Sequence, residues 1–225
     1  MRIRTLSLHL TAAILTVALL AFEPVAFGQK GNPGGDSVTK ELSLDLGKGA
    51  SMKLVHIPAG KFKMGNNDTP PETIKKVGGK EEHRTDEYPA HEVTISKPFY
   101  MGIYEVTQAQ WKAVMGTEPW MTEQALGFAR MQPRPQGFDD YPVVFVSSYD
   151  AIEFCRKLSK KSGRTVSLPT EAQWEYACRA GSTTTFSFGD ELSKLIDHGW
   201  YGGIRAGQKE DYARRVGQLK PNAWG

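Results

Sequence analysis

The residues of this sequence best suited to chemistry are its two cysteines, Cys155 and Cys178. Cysteine binds soft metals and attacks as a thiolate, and close Cys-x-x-Cys spacing is one feature that lowers the pKa of a thiol. These cysteines lie 23 positions apart, and each falls within an apolar stripe of a predicted helix. The spacing argues against a catalytic pair. It leaves two interpretations open, a disulfide between the two residues and two buried small apolar side chains.

Other motifs for catalysis or metal binding are missing from the sequence. Gly60 and Gly65 have the separation of a phosphate-binding loop, but Asn66 and Asn67 follow where that loop needs Lys and then Ser or Thr. There is no dinucleotide-binding fingerprint, nucleophile elbow or metalloprotease helix motif. Among the histidines, only His83 has several acidic neighbours, which favours a solvated charge cluster over a metal site.

Composition and charge indicate an ordinary globular protein. Of the 225 residues, 40% are hydrophobic and 24% are charged, which excludes collagen-like, low-complexity and multi-span membrane classes. The net charge of +3 is too small and too evenly spread for a nucleic-acid-binding surface, so we expect no nucleic-acid partner. Two cysteines are too few for a disulfide-rich miniprotein or a four-cysteine zinc module.

The first 28 residues have the features of a signal peptide. Arg2 and Arg4 precede an apolar run at residues 10–22, and Ala26 and Gly28 are small residues at the two positions that a signal peptidase reads. We therefore expect cleavage before residue 29 and an exported protein, periplasmic or secreted, with no membrane span after signal removal. The run is short for the roughly 20 residues of a membrane-spanning helix, although an uncleaved anchor is the alternative.

The elements that must position any site begin after a leader. Residues 29–51 are predicted to be flexible, because their first part is rich in Gly and Pro and lacks apolar periodicity. The ordered domain is predicted to cover residues 52–225. A polar segment at residues 66–88 predicts a long surface loop, and residues 117–141 hold too many Pro and Gly residues for a long element. Apolar or alternating runs predict strands at residues 52–57, 62–64, 91–95, 99–104, 143–146 and 165–168.

Helix starts are marked by the spacing of a capping box, in which two side chains satisfy free backbone N–H groups. Thr107 and Thr170 have this spacing, and Ser147 or Ser148 caps a third helix. The predicted helices are residues 108–115, 149–161 and 171–179. Helical spacing predicts that the buried faces of the last two helices carry Ile152, Cys155 and Leu158, and Trp174, Ala177 and Cys178.

An ordered series of short segments runs through the predicted domain. The segments are IPAGKFKMG (57–65), EYPAHEV (87–93), YEVT (104–107), PV (142–143), LPTEAQWE (168–175), RAG (179–181), FGD (188–190), VG (216–217) and PNAWG (221–225). In order and spacing they resemble the formylglycine-generating enzyme, or sulfatase-modifying factor, family. The resemblance covers about residues 52–225, and residues 168–175 are its most specific part.

The resemblance implies both a fold and an activity. The implied fold is this family's variant of the C-type-lectin fold, an α+β domain with short strands, few helices and much irregular chain. Family members of the enzymatic type use oxygen and a copper ion, held by two cysteines, to oxidise a cysteine in a Cys-x-Pro-x-Arg segment of a sulfatase to formylglycine. The implied partner is an exported sulfatase or another protein substrate, and a calcium site accompanies the copper site in full-length relatives.

The copper cysteines and calcium ligands of the family belong to a part beyond the last segment matched here. We therefore expect no catalytic, cofactor-binding or metal-binding residue within this chain, and we expect the chain to be a fragment of a longer product or a shortened copy. Cys155 and Cys178 match positions that in some members form structural disulfides with cysteines further along.

Two functions remain open at this stage. The chain is either part of a protein-modifying oxidoreductase that acts on a sulfatase or a non-catalytic binding module on the same fold. For the second function, Trp120, Phe138 and Tyr141 are candidates for an aromatic contact surface. The alternative is that these three side chains anchor their loop to the core.

Overall fold

A computed structural model describes residues 20–21, 40–77, 87–121, 139–200, 204–205, 208–209 and 213–225. Over these residues the fold is α+β, with short strands, few helices and long irregular connections, as expected. The strands are β1 (Leu20–Ala21), β2 (Glu41–Gly47), β3 (Ala50–Ile57), β4 (Gly60–Met64), β5 (His91–Ile95), β6 (Phe99–Gly102), β7 (Val166–Ser167), β8 (Ile204–Arg205) and β9 (Gln208–Lys209). The helices are α1 (Pro70–Val77), α2 (Gln108–Met115), α3 (Ser148–Ser162), α4 (Glu171–Arg179) and α5 (Leu195–His198).

The main sheet has five strands in the order β2-β3-β6-β1-β7. Each strand pairs antiparallel with its neighbours in the sheet. Two small antiparallel pairs, β4 with β5 and β8 with β9, complete the strand pairing of the described residues. The β2–β3 hairpin turns through Gly47, Lys48 and Gly49, whose φ angles of 74°, 55° and 79° explain why glycine flanks the turn.

Both faces of the main sheet are covered, and β3 shows this in its side chains. Met52 and Leu54 face one side, whereas Val55 and Ile57 face the other, because successive strand residues point to opposite faces. The first side is covered by α2 and α3, and the second by α4 with the β4–β5 pair. Each large side chain buried in this way stabilises the fold by about 1.5–3 kcal/mol.

The first core joins α2 to α3 through an aromatic pair. The rings of Trp111 and Phe154 are stacked with centroids 5.2 Å apart, and both side chains are fully buried. The Nε1–H of Trp111 donates to the hydroxyl of Thr117 at 3.2 Å, which satisfies the polar end of the indole. This core therefore has a rigid aromatic centre between the two helices.

The predicted helix starts are confirmed. Thr107, Ser147 and Thr170 are the N-caps of α2, α3 and α4, and each forms both hydrogen bonds of a capping box. Gly116 and Gly163 end α2 and α3 in the left-handed conformation, at φ 75° and 68°. These elements could be read from the sequence because a cap depends on residues only three or four positions apart.

Several expectations about the first half of the chain need correction. β2 lies at Glu41–Gly47, within the segment expected to be a flexible leader, because alternate residues such as Leu44 and Leu46 pack into the first core. The long loop expected at residues 66–88 contains the helix α1, whose start is held by Thr69, since its N–H and hydroxyl donate to Glu72 at 2.8 Å.

The prediction of a strand at residues 143–146 is wrong. Val143 is buried and donates its N–H to the Val106 carbonyl at 2.8 Å, but the following chain does not continue as a strand. Phe145 has a φ of 60°, which breaks the extended conformation, and its side chain is 46% exposed.

Two predicted helix faces are also wrong in part. Ile152 of α3 is 53% exposed, and the buried residues of that helix are Ala151, Phe154, Cys155 and Leu158. On α4 the buried residues are Glu175, Tyr176 and Ala177, whereas Cys178 is exposed. The irregular insertion begins with a short 3-10 turn at Pro119–Met121, and most of its remaining residues lie outside the described ones.

Among the described residues, no helix combines the length and apolar character needed to cross a bilayer.

Candidate functional site

Several of the segments that carry the family resemblance meet around α4. Glu175, which ends the most specific segment, accepts a hydrogen bond at Oε1 from the N–H of Gly65 at 2.9 Å. Arg179 donates from Nε to the same Glu175 oxygen at 2.8 Å and from its NH2 group to the Gly65 carbonyl at 2.9 Å. These three residues form a closed set of contacts, called here the Glu175 clamp, that fastens the end of β4 to α4.

The clamp requires glycine at its β4 end. Gly65 has a φ of 91°, and a Cβ at this position would collide with the backbone carbonyl oxygen of Glu87. The Asn66 N–H donates to that same Glu87 carbonyl at 2.6 Å, and Ala90 donates to the carbonyl of Asn66 at 3.0 Å. The close approach of these two backbone segments fixes where the long connection before β5 returns to the sheet.

α4 also packs against β4 through Tyr176. Its ring contacts Phe62 with centroids 5.2 Å apart and meets Trp224 edge to face at 4.9 Å. A Cβ at Gly60 would collide with the Tyr176 hydroxyl, so the ring lies directly against the β4 backbone. Burial raises the pKa of the Tyr176 phenol. Tyr176 is therefore a packing residue that stays neutral near neutral pH.

The last matched segment closes the C-terminal end of α4. The Nδ2 group of Asn222 donates to the carbonyls of Ala177 at 2.8 Å and Cys178 at 3.2 Å, which have no partner within the helix. The Asn222 Oδ1 accepts a hydrogen bond from the backbone N–H of Trp224 at 3.0 Å, and the Trp224 indole lies against Tyr176. The matched segments that meet here thus have a shared structural role, which is to hold α4 against β4.

The FGD segment forms a second small cluster. Asp190 Oδ1 accepts hydrogen bonds from the N–H of Thr185 at 2.8 Å and its hydroxyl at 2.7 Å, and these bonds lower the pKa of Asp190. The ring of Phe188 stacks on Phe186 at 5.0 Å and on His198 at 4.1 Å. The acidic group is thereby used to hold a turn.

The two cysteines are free thiols on opposite sides of the main sheet. Cys155 lies in the first core on α3, where burial raises the pKa of its thiol to about 11. Cys178 lies on α4, which covers the second face, and although its side chain reaches the surface, the surrounding protein raises the pKa of its thiol by desolvation. Neither thiol is paired in this structure, and burial as a small apolar side chain, the second interpretation that the spacing left open, holds for Cys155 and not for the exposed Cys178.

The cysteines do not fit the copper site of the family. Copper(I) is held by convergent thiolates, whereas Cys155 and Cys178 are separated by the sheet and both thiols favour the protonated form. These are the chain's only cysteines. Among the described residues, no group of three or more His, Cys, Asp or Glu side chains is arranged to hold a metal ion.

Two of the three candidates for an aromatic contact surface, Trp120 and Tyr141, are among the described residues. Trp120 is buried in the first core and anchors its loop, which is the alternative stated above. Tyr141 is partly buried with the Arg215 guanidinium 5.9 Å from its ring centroid, and Arg215 also pairs with Asp140 at 3.5 Å. Phe138 lies outside the described residues.

Exposed apolar side chains occur instead at the start of α3. Tyr149 and Ile152 are one helical turn apart and are 82% and 53% exposed, and Phe145 precedes the Ser147 cap with its left-handed backbone. Sequence reasoning missed this set, because periodicity placed Ile152 in the core and residue 145 in a buried strand.

The comparison with known families decides the identity of the fold. A family model of the sulfatase-modifying factor enzyme 1-like domain matches residues 45–225. The chain belongs to this family. The sulfatase-modifying factor domain therefore begins within β2, which agrees with the position of that strand in the main sheet.

Relatives of this sulfatase-modifying factor domain include active and inactive proteins. The formylglycine-generating enzyme of Bos taurus is 31% identical over 185 residues, which covers 65% of this chain and 45% of that enzyme. The inactive C-alpha-formylglycine-generating enzyme 2 of Bos taurus is 27% identical over 207 residues, covering 75% of this chain and 62% of the relative. The chain thus spans about half the length of the enzyme that it matches.

A solved structure supports the same fold. PvdO from Pseudomonas aeruginosa superposes with a TM-score of 0.59 and 29% sequence identity, over 81% of this chain and 68% of that one. The expectation of a sulfatase-modifying-factor fold is confirmed.

Proposed function

We propose that this chain is a scaffold domain of an exported formylglycine-generating-type protein, whose residues position a protein substrate and supply no copper-binding thiolate pair. The substrate would be a sulfatase segment of the Cys-x-Pro-x-Arg type. Membership of the family supports the substrate class.

The position of the two cysteines carries the proposal. Oxidation of a substrate thiol by this family's chemistry needs two thiolates at one metal ion. Cys155 lies among apolar side chains on one face of the sheet, and Cys178 belongs to a helix on the other face. Bringing their sulfur atoms together would require the sheet to open, so these residues serve the fold rather than a redox step.

Three charged groups of the matched segments already have hydrogen-bond partners within the fold. Glu175 and Arg179 bind each other and Gly65, and Asp190 binds Thr185. In each of these carboxylates, one oxygen accepts two hydrogen bonds from groups of the fold. Because these charged side chains bind other parts of the fold, they support the proposal that the matched segments form a scaffold.

Mass spectrometry of a Cys-x-Pro-x-Arg peptide tests the proposal. The purified chain is incubated with the peptide, copper and oxygen, and the bovine formylglycine-generating enzyme serves as the positive control. We expect peptide binding, measured by fluorescence anisotropy, and no aldehyde above the protein-free background. Aldehyde formation that is lost in Cys155→Ser or Cys178→Ser would overturn the proposal.

A second candidate function is a non-catalytic binding module for a different partner. Similarity to an inactive relative, 27% identical over 207 residues, supports it. The anisotropy measurement separates the two functions, because such a module would show neither binding nor oxidation of the Cys-x-Pro-x-Arg peptide.

We further propose that residues 1–28 direct export to the periplasm or the exterior and are removed before residue 29. The two arginines and the apolar run at residues 10–22 support this. N-terminal sequencing of the exported protein tests the cleavage position, and a sequence that begins at residue 1 would contradict it.

A further inference from the structure

The outer face of α3 carries a straight row of large side chains. Tyr149, Glu153, Arg156 and Lys160 follow one another by four, three and four positions, and they are called here the α3 seam. Steps of three and four residues keep side chains on one side of a helix, and two helices that pack along each other make contact through this spacing. The buried residues of α3 lie on its other side, in the first core. The seam therefore points to solvent, and Tyr149 at its start is 82% exposed.

The charges of the seam are distributed asymmetrically along the helix. The carboxylate of Glu153 lies in the N-terminal half of α3, whereas the cations of Arg156 and Lys160 lie in the C-terminal half. A second α3 that ran in the same direction would bring each of these groups against its own copy, which is repulsive. A second α3 that runs in the opposite direction brings unlike groups together.

An antiparallel pair of α3 helices, related by a two-fold axis between residues 154 and 155, matches every position of the seam. Residues at equal distances before and after the axis then face each other across the pair. Glu153 of each copy faces Arg156 of the other, and Tyr149 faces Lys160. Ile152, which is 53% exposed beside the seam, faces Lys157. No position of the seam meets a like charge.

The ion pair within α3 leaves both of its members able to bind a second copy. Arg156 donates from Nε to Oε2 of Glu153 and from its NH2 group to Oε1, each at 2.7 Å. A guanidinium group has five N–H donors and a carboxylate has about four acceptor positions, so both groups keep unused sites. Two copies would join them in a network of two carboxylates and two guanidinium groups. Such a network is more stabilising than isolated surface pairs.

The two ends of the seam supply the remaining contact. An ammonium group of Lys160 over the ring of Tyr149 is a cation–π contact, and the aliphatic stem of Lys157 can cover Ile152 while its charge stays in water. The 15 residues of α3 form a helix about 22 Å long. One helix pair of that length buries less than the roughly 800 Å² per partner of a stable interface. We therefore expect a weak and reversible dimer.

We propose that the α3 seam is a self-association surface, and that its partner is a second copy of this chain bound through α3 in the antiparallel direction. The two-fold arrangement uses the same patch on both copies, so the assembly closes at a dimer. The Glu175 clamp lies on α4, which covers the other face of the main sheet. Self-association therefore leaves the clamp outside the interface.

Sedimentation equilibrium of the purified chain, at concentrations up to about 1 mM, measures the dimer. Glu153→Arg sets cations against each other across the seam, and Arg156→Glu sets carboxylates against each other. We expect each variant alone to dimerise at least about tenfold more weakly than the unchanged protein. In an equimolar mixture of the two variants, every carboxylate faces a guanidinium group. We therefore expect the mixture to form heterodimers with close to the original affinity.

The matched controls use the exposed ion pair between β4 and β5, in which Lys61 Nζ and Glu92 Oε1 are 2.9 Å apart. Glu92→Arg and Lys61→Glu make the same kinds of charge change away from the seam and should leave the dimer unchanged. A chain that stays monomeric at every concentration would overturn the proposal and leave the seam to a different partner. A mixture that dimerises no better than the separate variants would also contradict it. No peptide or copper is involved, so the result is independent of the proposed function.

Discussion

Glu175 and Arg179 are joined by an ion pair at 2.8 Å, one helical turn apart, and both also bind the backbone of Gly65, more than a hundred positions earlier in the chain. The side chains are only 12% and 24% exposed, so water screens the pair weakly. This clamp explains why the most specific matched segment ends in Glu and is followed by Arg four residues later.

Glu175→Ala should destabilise the protein by about 2–4 kcal/mol, because it leaves the Arg179 guanidinium and the Gly65 N–H without their acceptor. Urea unfolding followed by tryptophan fluorescence measures the loss. Glu153→Ala is the matched control, because Glu153 forms an i,i+3 pair with Arg156 on the surface. Glu153→Ala should lower the free energy of unfolding by less than about 1 kcal/mol. Equal losses in the two variants would contradict the role given to the clamp.

Gly65→Ala should be more destabilising than Gly116→Ala. Both glycines have a positive φ, 91° and 75°, so alanine costs about 1–2 kcal/mol of backbone strain at either position. Only at Gly65 does the new methyl group meet a backbone atom, the Glu87 carbonyl oxygen, whereas nothing lies within 4 Å at Gly116. We expect an additional loss of about 1–3 kcal/mol for Gly65→Ala, measured as the difference between the two urea unfolding free energies.

The capping box of α3 should give a measurable pH dependence. The Ser147 hydroxyl and then its N–H donate to Asp150 and lower the pKa of that carboxyl in the folded protein. A lowered folded pKa contributes stability above the unfolded value of about 3.9, and this contribution is lost as the pH falls through the folded pKa. The stability difference between the protein and Asp150→Ala should therefore be largest near pH 7 and should shrink below about pH 4. A difference that grows on acidification would contradict this assignment.

Whether a contact can be predicted from the sequence depends on how far apart its two residues lie along the chain. The caps at Thr107, Ser147 and Thr170 were correct, because every atom involved lies within four residues. The clamp could not be predicted without the family resemblance, since Glu175 and Gly65 carry no signal that identifies them as partners. Composition and motif tests likewise revealed no catalytic site.

Side-chain direction was the other source of error. Periodicity placed Ile152 and Cys178 in the core, but each helix is rotated so that Ala151 and Tyr176, which were not on the predicted faces, point inward. Phe145 broke a predicted strand through a backbone conformation that a bulky residue adopts rarely.

The two thiols should react at different rates with an alkylating reagent. Cys178 is exposed and should be modified in the native protein, whereas Cys155 is buried among apolar side chains and should react only after unfolding. Mass spectrometry of the native and the denatured protein under non-reducing conditions measures the alkylation of both thiols. A protein that takes up no reagent even when denatured would contain the disulfide instead.

Titration of the purified chain with copper(I), in competition with a chromophoric chelator, tests the central claim most directly. That claim is that Cys155 and Cys178 lie on opposite faces of the sheet and cannot bind one ion together. The protein, Cys155→Ser and Cys178→Ser should then withdraw copper from the chelator equally weakly. Stoichiometric copper(I) binding that either serine substitution abolishes would contradict the account.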